Sequence, residues 1–171
     1  MTSMRSLFPG SRALDALADN APLWPAGAQL SSADVSVLGL SLSTVGASIT
    51  PVVVTGPISA PVRASSIIVV RVTQVANRWP QDPVHAAIDA DLTSCLPVLD
   101  QIRVLGRSAT TRRRPTQLQW PNGQRSETSL MPQDLHGGDL LAIPCHGNIS
   151  NRQLRAHRIF LGPAHPEETL A

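Results

Sequence analysis

No lysine and no tyrosine occur in these 171 residues, and phenylalanine and tryptophan together supply only five. So few rings exclude the interleaved aromatic platforms on which bases stack, and nucleic acid is not an expected partner. Cysteine is almost as scarce. Cys95 and Cys145 stand fifty positions apart with no CxxC spacing, which excludes a disulfide framework and a closed metal site and fits two small buried thiols in a reducing cytoplasm. No cofactor motif is present. The amino end lacks the apolar h-region of a secretory signal. Between Asp34 and Arg63 lie 28 uncharged residues, but Ser, Thr, Gly and three prolines interrupt them, so the stretch predicts β-rich or extended chain and no integral membrane span.

What is present is arginine, proline and small aliphatic residues. Arginine carries all the positive charge, for a net charge of +2 and a pI near 9.0. Lysine-free, arginine-rich usage with abundant Ala, Val and Pro points to a GC-rich genome. Apolar residues at 42% suffice for a core, which must rest on Val, Ile, Leu and Ala. Fifteen prolines, each lacking the amide proton a ladder needs, predict long irregular connections.

Three parts emerge. Residues 1–65 form an N-terminal extension, with a helical signal at Ser11–Asp19 capped by Ser11 and then β-like chain. In that chain Val35, Val37, Leu40 and Leu42 alternate with polar residues, and Pro51–Pro57 reads as a strand. Residues 66–146 are better organised. Ile67–Val75 is a strong β-branched strand, and Val84–Asp89 returns as the second strand of a hairpin with Val84, Ala86 and Ile88 on one face. Leu96, Leu99, Ile102 and Leu105 predict a helix between about Thr93 and Gly106, with Pro97 in its first turn. Arg107–Pro115 reads as a loop, Thr116–Trp120 as a strand with Leu118 inward, and Asn122-Gly123 as a tight reversal. Ser129–Leu135 predicts one helical turn burying Leu130 and Leu135. Gly137-Gly138-Asp139 then turns the chain into a last strand, Leu140–Ile143. Residues 147–171 form a basic tail in which Arg152, Arg155 and Arg158 recur every third residue, as in a short amphipathic helix.

The order β-β-α-β-β-short helix-β resembles the YukD-like ubiquitin fold of type VII (ESX) secretion systems, and in particular the cytosolic domain of the EccD membrane component. The matching pieces are Ile67–Val75, Ile88-Asp-Ala-Asp-Leu92, the helix ending at Leu105-Gly106, and above all Asn122-Gly-Gln-Arg…Ser129-Leu-Met-Pro-Gln-Asp-Leu-His-Gly-Gly-Asp-Leu-Leu-Ala-Ile143. The resemblance implies an α+β, ubiquitin-like β-grasp domain over residues 66–146. It further implies a non-catalytic role inside a secretion machinery, with membrane or ATPase components as partners.

Sharper chemistry finds little footing. Cys145 and His146 are strand neighbours and point to opposite faces, so they cannot act as nucleophile and base. The internal Gly137-Gly138 is a turn, not a conjugation tail. The candidate protein-interaction residues are therefore Arg112, Arg113 and Arg114 in the loop and Arg152, Arg155 and Arg158 in the tail, the latter with an affinity for the inner face of the membrane. Open strand edges also suit a homodimer. Two other readings compete. One is a structural, virion-like assembly protein. The other is the β-barrel substrate-binding domain of an AAA-type unfoldase, which predicts no helix between about Thr93 and Gly106.

Overall fold

The computed structural model describes residues 24–56, 66–77, 79–146, 149, 154 and 157–160. The helix expected at Ser11–Asp19, and Arg152 and Arg155 of the tail, lie outside them. The chain opens with β1 (Ala28–Leu30), β2 (Val35–Val37) and β3 (Leu40–Ser41), a small antiparallel sheet, followed at once by α1 (Leu42–Ser48). Alternation with serines pointed to extended chain here. The helix forms because Asp34 and Ser41 satisfy its free amides: Asp34 Oδ1 accepts from Ser43 N at 2.9 Å and Ser41 Oγ from Thr44 N at 3.3 Å.

Next come β4 (Val52–Thr55), β5 (Ser66–Ala76), β6 (Val84–Ile88), β7 (Leu96–Pro97), a 3-10 turn at Leu99–Gln101, and β8 (Arg103–Leu105). The series closes with β9 (Arg113–Gln119), β10 (Ser129–Pro132), β11 (Leu140–His146) and β12 (His157–Phe160). The main sheet runs β10-β9-β6-β5-β11, with β7 and β8 side by side along the far edge of β11. β5 is shared between two partners on its other edge. Its first half pairs with β4, which β12 joins in parallel, and its second half pairs with β6. The handover falls at Arg71, whose amide and carbonyl both meet Asp89, and a register shift follows between Val72 and Gln74. Such irregularities bend strands, and here the sheet curls until the 3-10 turn before β8 lies against β10.

Two cores result, one on each face of β5 and β11. Ile68, Val70, Val72, Ala86, Ile88, Leu118, Met131, Leu141 and Ile143 fill the inside of the curl. Ile67, Val69, Leu140 and Ala142 face outward, where Trp24, Val35, Val37 and Leu42 cover them. Burial on both faces explains why these strands read as unbroken apolar runs. Each such side chain contributes about 1.5–3 kcal/mol when fully buried.

This architecture corrects the β-grasp expectation. The expected helix is absent: between Thr93 and Gly106 the chain makes turns, two short strands and a 3-10 turn, and the inside of the curl is filled by side chains. The apolar spacing of three serves edge pairing, since Val98 N bonds Pro144 O at 2.8 Å and Leu96 is left exposed. Ser129–Pro132 is a strand, not a helical turn, so Leu130 points out at 58% exposure while Leu135 is buried as expected. Of the helix expected in the tail, Leu154 is helical, while residues 157–160 extend as β12. The strands at 67–75, 84–88, 116–119 and 140–143 and the positive-φ reversal at Gly123 stand as read. No helix among the described residues is long and apolar enough to cross a membrane.

Candidate protein-interaction rim

The parallel pair β6/β9 sets Val84 opposite Thr116, and antiparallel β10 sets Ser129 opposite the same Thr116. The chain entering β6 and the chain entering β9 therefore emerge at one end of the sheet, where β10 also finishes. Residues 79–83, Arg112–Pro115 and Leu130–Pro132 lie at that end and make up its rim.

Arg113 and Arg114 belong to β9 itself, which corrects the expected loop; Arg112 lies just before it. Strand geometry spreads these side chains over opposite faces of the sheet end. Arg114 shares a register position with Met131 and Arg113 with Pro132. Arg113 donates from Nη1 to Leu130 O at 3.2 Å. Among the described residues, none of the three forms a salt bridge. Burial, and then the positive charge of Arg113, hold the guanidinium of Arg103, in β8, below the usual arginine value.

Apolar surface accompanies this charge. Trp79 is 67% exposed at the tip of the β5–β6 hairpin, in a turn closed by Asp82 N to Trp79 O at 3.1 Å, and Leu130 stands out from β10. Tryptophan and arginine are enriched at protein interfaces. Trp79 was legible as a large apolar residue set in Pro-rich loop chemistry; Arg103 left no signal in the sequence. Of the tail residues, Arg158 lies in β12, and Arg152 and Arg155 are outside the described residues.

Arg107, by contrast, is fully engaged. Arg107 Nε and Nη2 donate to Asp139 Oδ1 at 2.9 Å and Oδ2 at 2.7 Å, and Nη1 donates to Asp134 Oδ2 at 2.7 Å. His136 N adds a bond to Asp139 Oδ2 at 3.0 Å. Burial pushes the Asp139 carboxyl upward, but the Arg107 and His136 contacts outweigh it and hold the group below the usual carboxylate range. Thus the β8–β9 loop is bolted to the turn before β11, and the rim is mounted on a fixed base.

The thiols do not form a reactive site. Cys95 and Cys145 are free and buried in the inner core, and burial above all pushes both thiols up, away from the thiolate a nucleophile needs. Among the described residues no three His, Cys, Asp or Glu side chains gather as a metal site would require.

No protein-family model matches the chain, and no curated protein does. Similar solved structures are decarboxylases. They include the arginine decarboxylase of Paramecium bursaria Chlorella virus (13% identity, 57% of this chain, 31% of that one, TM-score 0.42) and the lysine/ornithine decarboxylase of Vibrio vulnificus (16%, 57%, 30%, 0.38). Diaminopimelate decarboxylase of Helicobacter pylori is a third (16%, 58%, 27%, 0.38). The chain spans less than a third of each. The absence of a helix between Thr93 and Gly106 withdraws the YukD/EccD resemblance and the secretion role it implied.

Proposed function

We propose that the chain is a non-catalytic, barrel-type binding domain that holds a protein partner on its rim, as the substrate-binding domain of an AAA-type unfoldase would. The observation that carries this reading is the juxtaposition of Arg112, Arg113 and Arg114, without salt bridges among the described residues, with exposed Trp79 and Leu130 at one end of a rigid curled sheet. Apolar anchors supply affinity when desolvated, and arginines supply orientation and charge selection. The Arg107 bonds to Asp134 and Asp139 hold the β8–β9 loop that leads into the rim, which lowers the ordering cost that opposes binding.

The test uses casein, a permanently unfolded acidic protein, labelled for fluorescence anisotropy with the full chain. Trp79→Ala, and the pair Arg112→Gln with Arg114→Gln, are each expected to weaken binding about tenfold, the effect of a modest interface residue. Arg125→Gln, on the loop after β9 at the opposite sheet end, is expected to leave binding unchanged. Equal binding by all variants would remove the rim from consideration.

A further inference from the structure

The sequence holds a single Asn-Gly pair, Asn122-Gly123, at the exposed tip of the β9–β10 connection. Asparagine before glycine is open to attack on its own side chain, because glycine carries no Cβ to shield its amide nitrogen. Here the reacting amide is not left loose. Asn122 Nδ2 donates to Asp91 Oδ2 at 2.8 Å and to Thr93 Oγ1 at 3.4 Å, and Asn122 Oδ1 accepts from Gln124 N at 2.8 Å. Asp91 is fixed in turn, since its Oδ1 accepts from Thr93 N at 2.9 Å and from Thr93 Oγ1 at 2.5 Å. The nucleophile is held too: Gly123 N donates to Trp120 O at 3.0 Å. A clasp therefore joins this turn to the segment between β6 and β7, and at its centre an amide faces a carboxylate.

We propose that Asn122 is a deamidation site, slowed by the Asp91 clasp, and that the reaction itself undoes the clasp. Gly123 N gives up its proton and bonds to Asn122 Cγ. The Cγ–Nδ2 bond breaks and releases ammonia, which carries off that proton. Water then opens the succinimide at either carbonyl and leaves aspartate or isoaspartate, so no other reactant is needed. The product has a carboxylate where Asn122 had a donor. Asp91 then faces a like charge at hydrogen-bond distance, and two carboxylates so placed disfavour each other's ionised form. Isoaspartate also adds a methylene to the backbone. It does so inside a turn whose bonds, Gly123 N to Trp120 O and Trp120 N to Gln124 O at 2.8 Å, hold the buried Trp120.

The experiment ages the full chain beside the capped peptide Trp120–Arg125 in mildly alkaline buffer. Ammonia release gives the rate, and peptide mass mapping gives the position. The expected result is conversion at Asn122 in both, slower in the chain. Asp91→Ala should raise the chain's rate about tenfold, toward that of the peptide, as for the loss of a hydrogen bond to a charged group. Should Asp91→Ala fail to fold, Thr93→Val reads the same restraint from an exposed position. The consequence is read by melting: at neutral pH Asn122→Asp should melt below Asn122→Ala, because only the aspartate sets two carboxylates together. Added salt should narrow that gap. An Asn122 that stays intact in parent and clasp variants while the peptide converts fully overturns the site. Equal rates in the parent and both clasp variants overturn the restraint. Equal melting of Asn122→Asp and Asn122→Ala overturns the claim that the product opposes Asp91.

Discussion

Arg107 holds Asp139 through two parallel hydrogen bonds, and Asp139 is 6% exposed. Removing one partner of such a pair strands the other charge away from water, which costs about 3–5 kcal/mol when the pair is fully buried. Arg107 retains some access to solvent, so the lower part of that range applies. We expect Arg107→Met to destabilise the chain by about 3 kcal/mol in urea unfolding. Asp139→Asn should cost less, because its amide still accepts from one donor.

The same group makes stability pH-dependent. Asp34, Asp134 and Asp139 are all held below the ordinary carboxylate value. Burial opposes this in each case, and hydrogen bonds from Ser41 and Ser43 to Asp34, or from Arg107 to the other two, outweigh it. A depressed native pKa means that the unfolded chain binds protons first. The stabilisation is therefore complete above the unfolded value of about 3.9 and is lost as pH falls through the lower native values. Melting temperature should drop steeply on that acid limb. In Arg107→Met the limb should be shallower; an unchanged slope would show that the Arg107 carboxylates do not set it.

Gly46 lies in α1 against the outer core. A methyl group there would come within 2.7 Å of Val69 Cγ1 and 3.1 Å of Leu140 Cδ1. Helix propensity favours alanine by about 1 kcal/mol, but overpacking costs about 1–3 kcal/mol. We expect Gly46→Ala to be destabilising on balance, which thermal unfolding would read. Arg71 Nη2 also bonds Gly46 O at 3.0 Å, so a shift of the helix loosens that contact too.

The three tryptophans report separately. Trp24 and Trp120 are buried, and Trp79 is exposed. Iodide should quench one component of the emission and leave the rest, and Trp79→Phe should abolish that component without lowering stability. Partner binding at the rim should protect the same component.

Strand positions were legible wherever the chain repeats β-branched residues with period two or runs apolar on both faces, as in Ile67–Val75 and Leu140–Ile143. Turns at Asn122-Gly123 and Gly137-Gly138 were legible because positive φ favours glycine, and Gly123 and Gly138 adopt it. The segment from Leu96 to Leu105 was misread because a spacing of three fits a helix and a 3-10 turn between short strands alike. The hydrogen bonds of β11 decided between them. α1 was hidden by its Ser, Thr and Gly content and depends on Asp34, a cap delivered from outside the helix. In the rim, the three arginines were named from the sequence, and Trp79 was not.

β5 is a wall common to two interiors, with Ile68 and Val70 on one side and Ile67 and Val69 on the other. Neither interior can open to water while the other stays closed around it. The amino-terminal segment and the curl should therefore give way in one cooperative step, and amide protons along residues 67–70 should be the last in the molecule to exchange with deuterium.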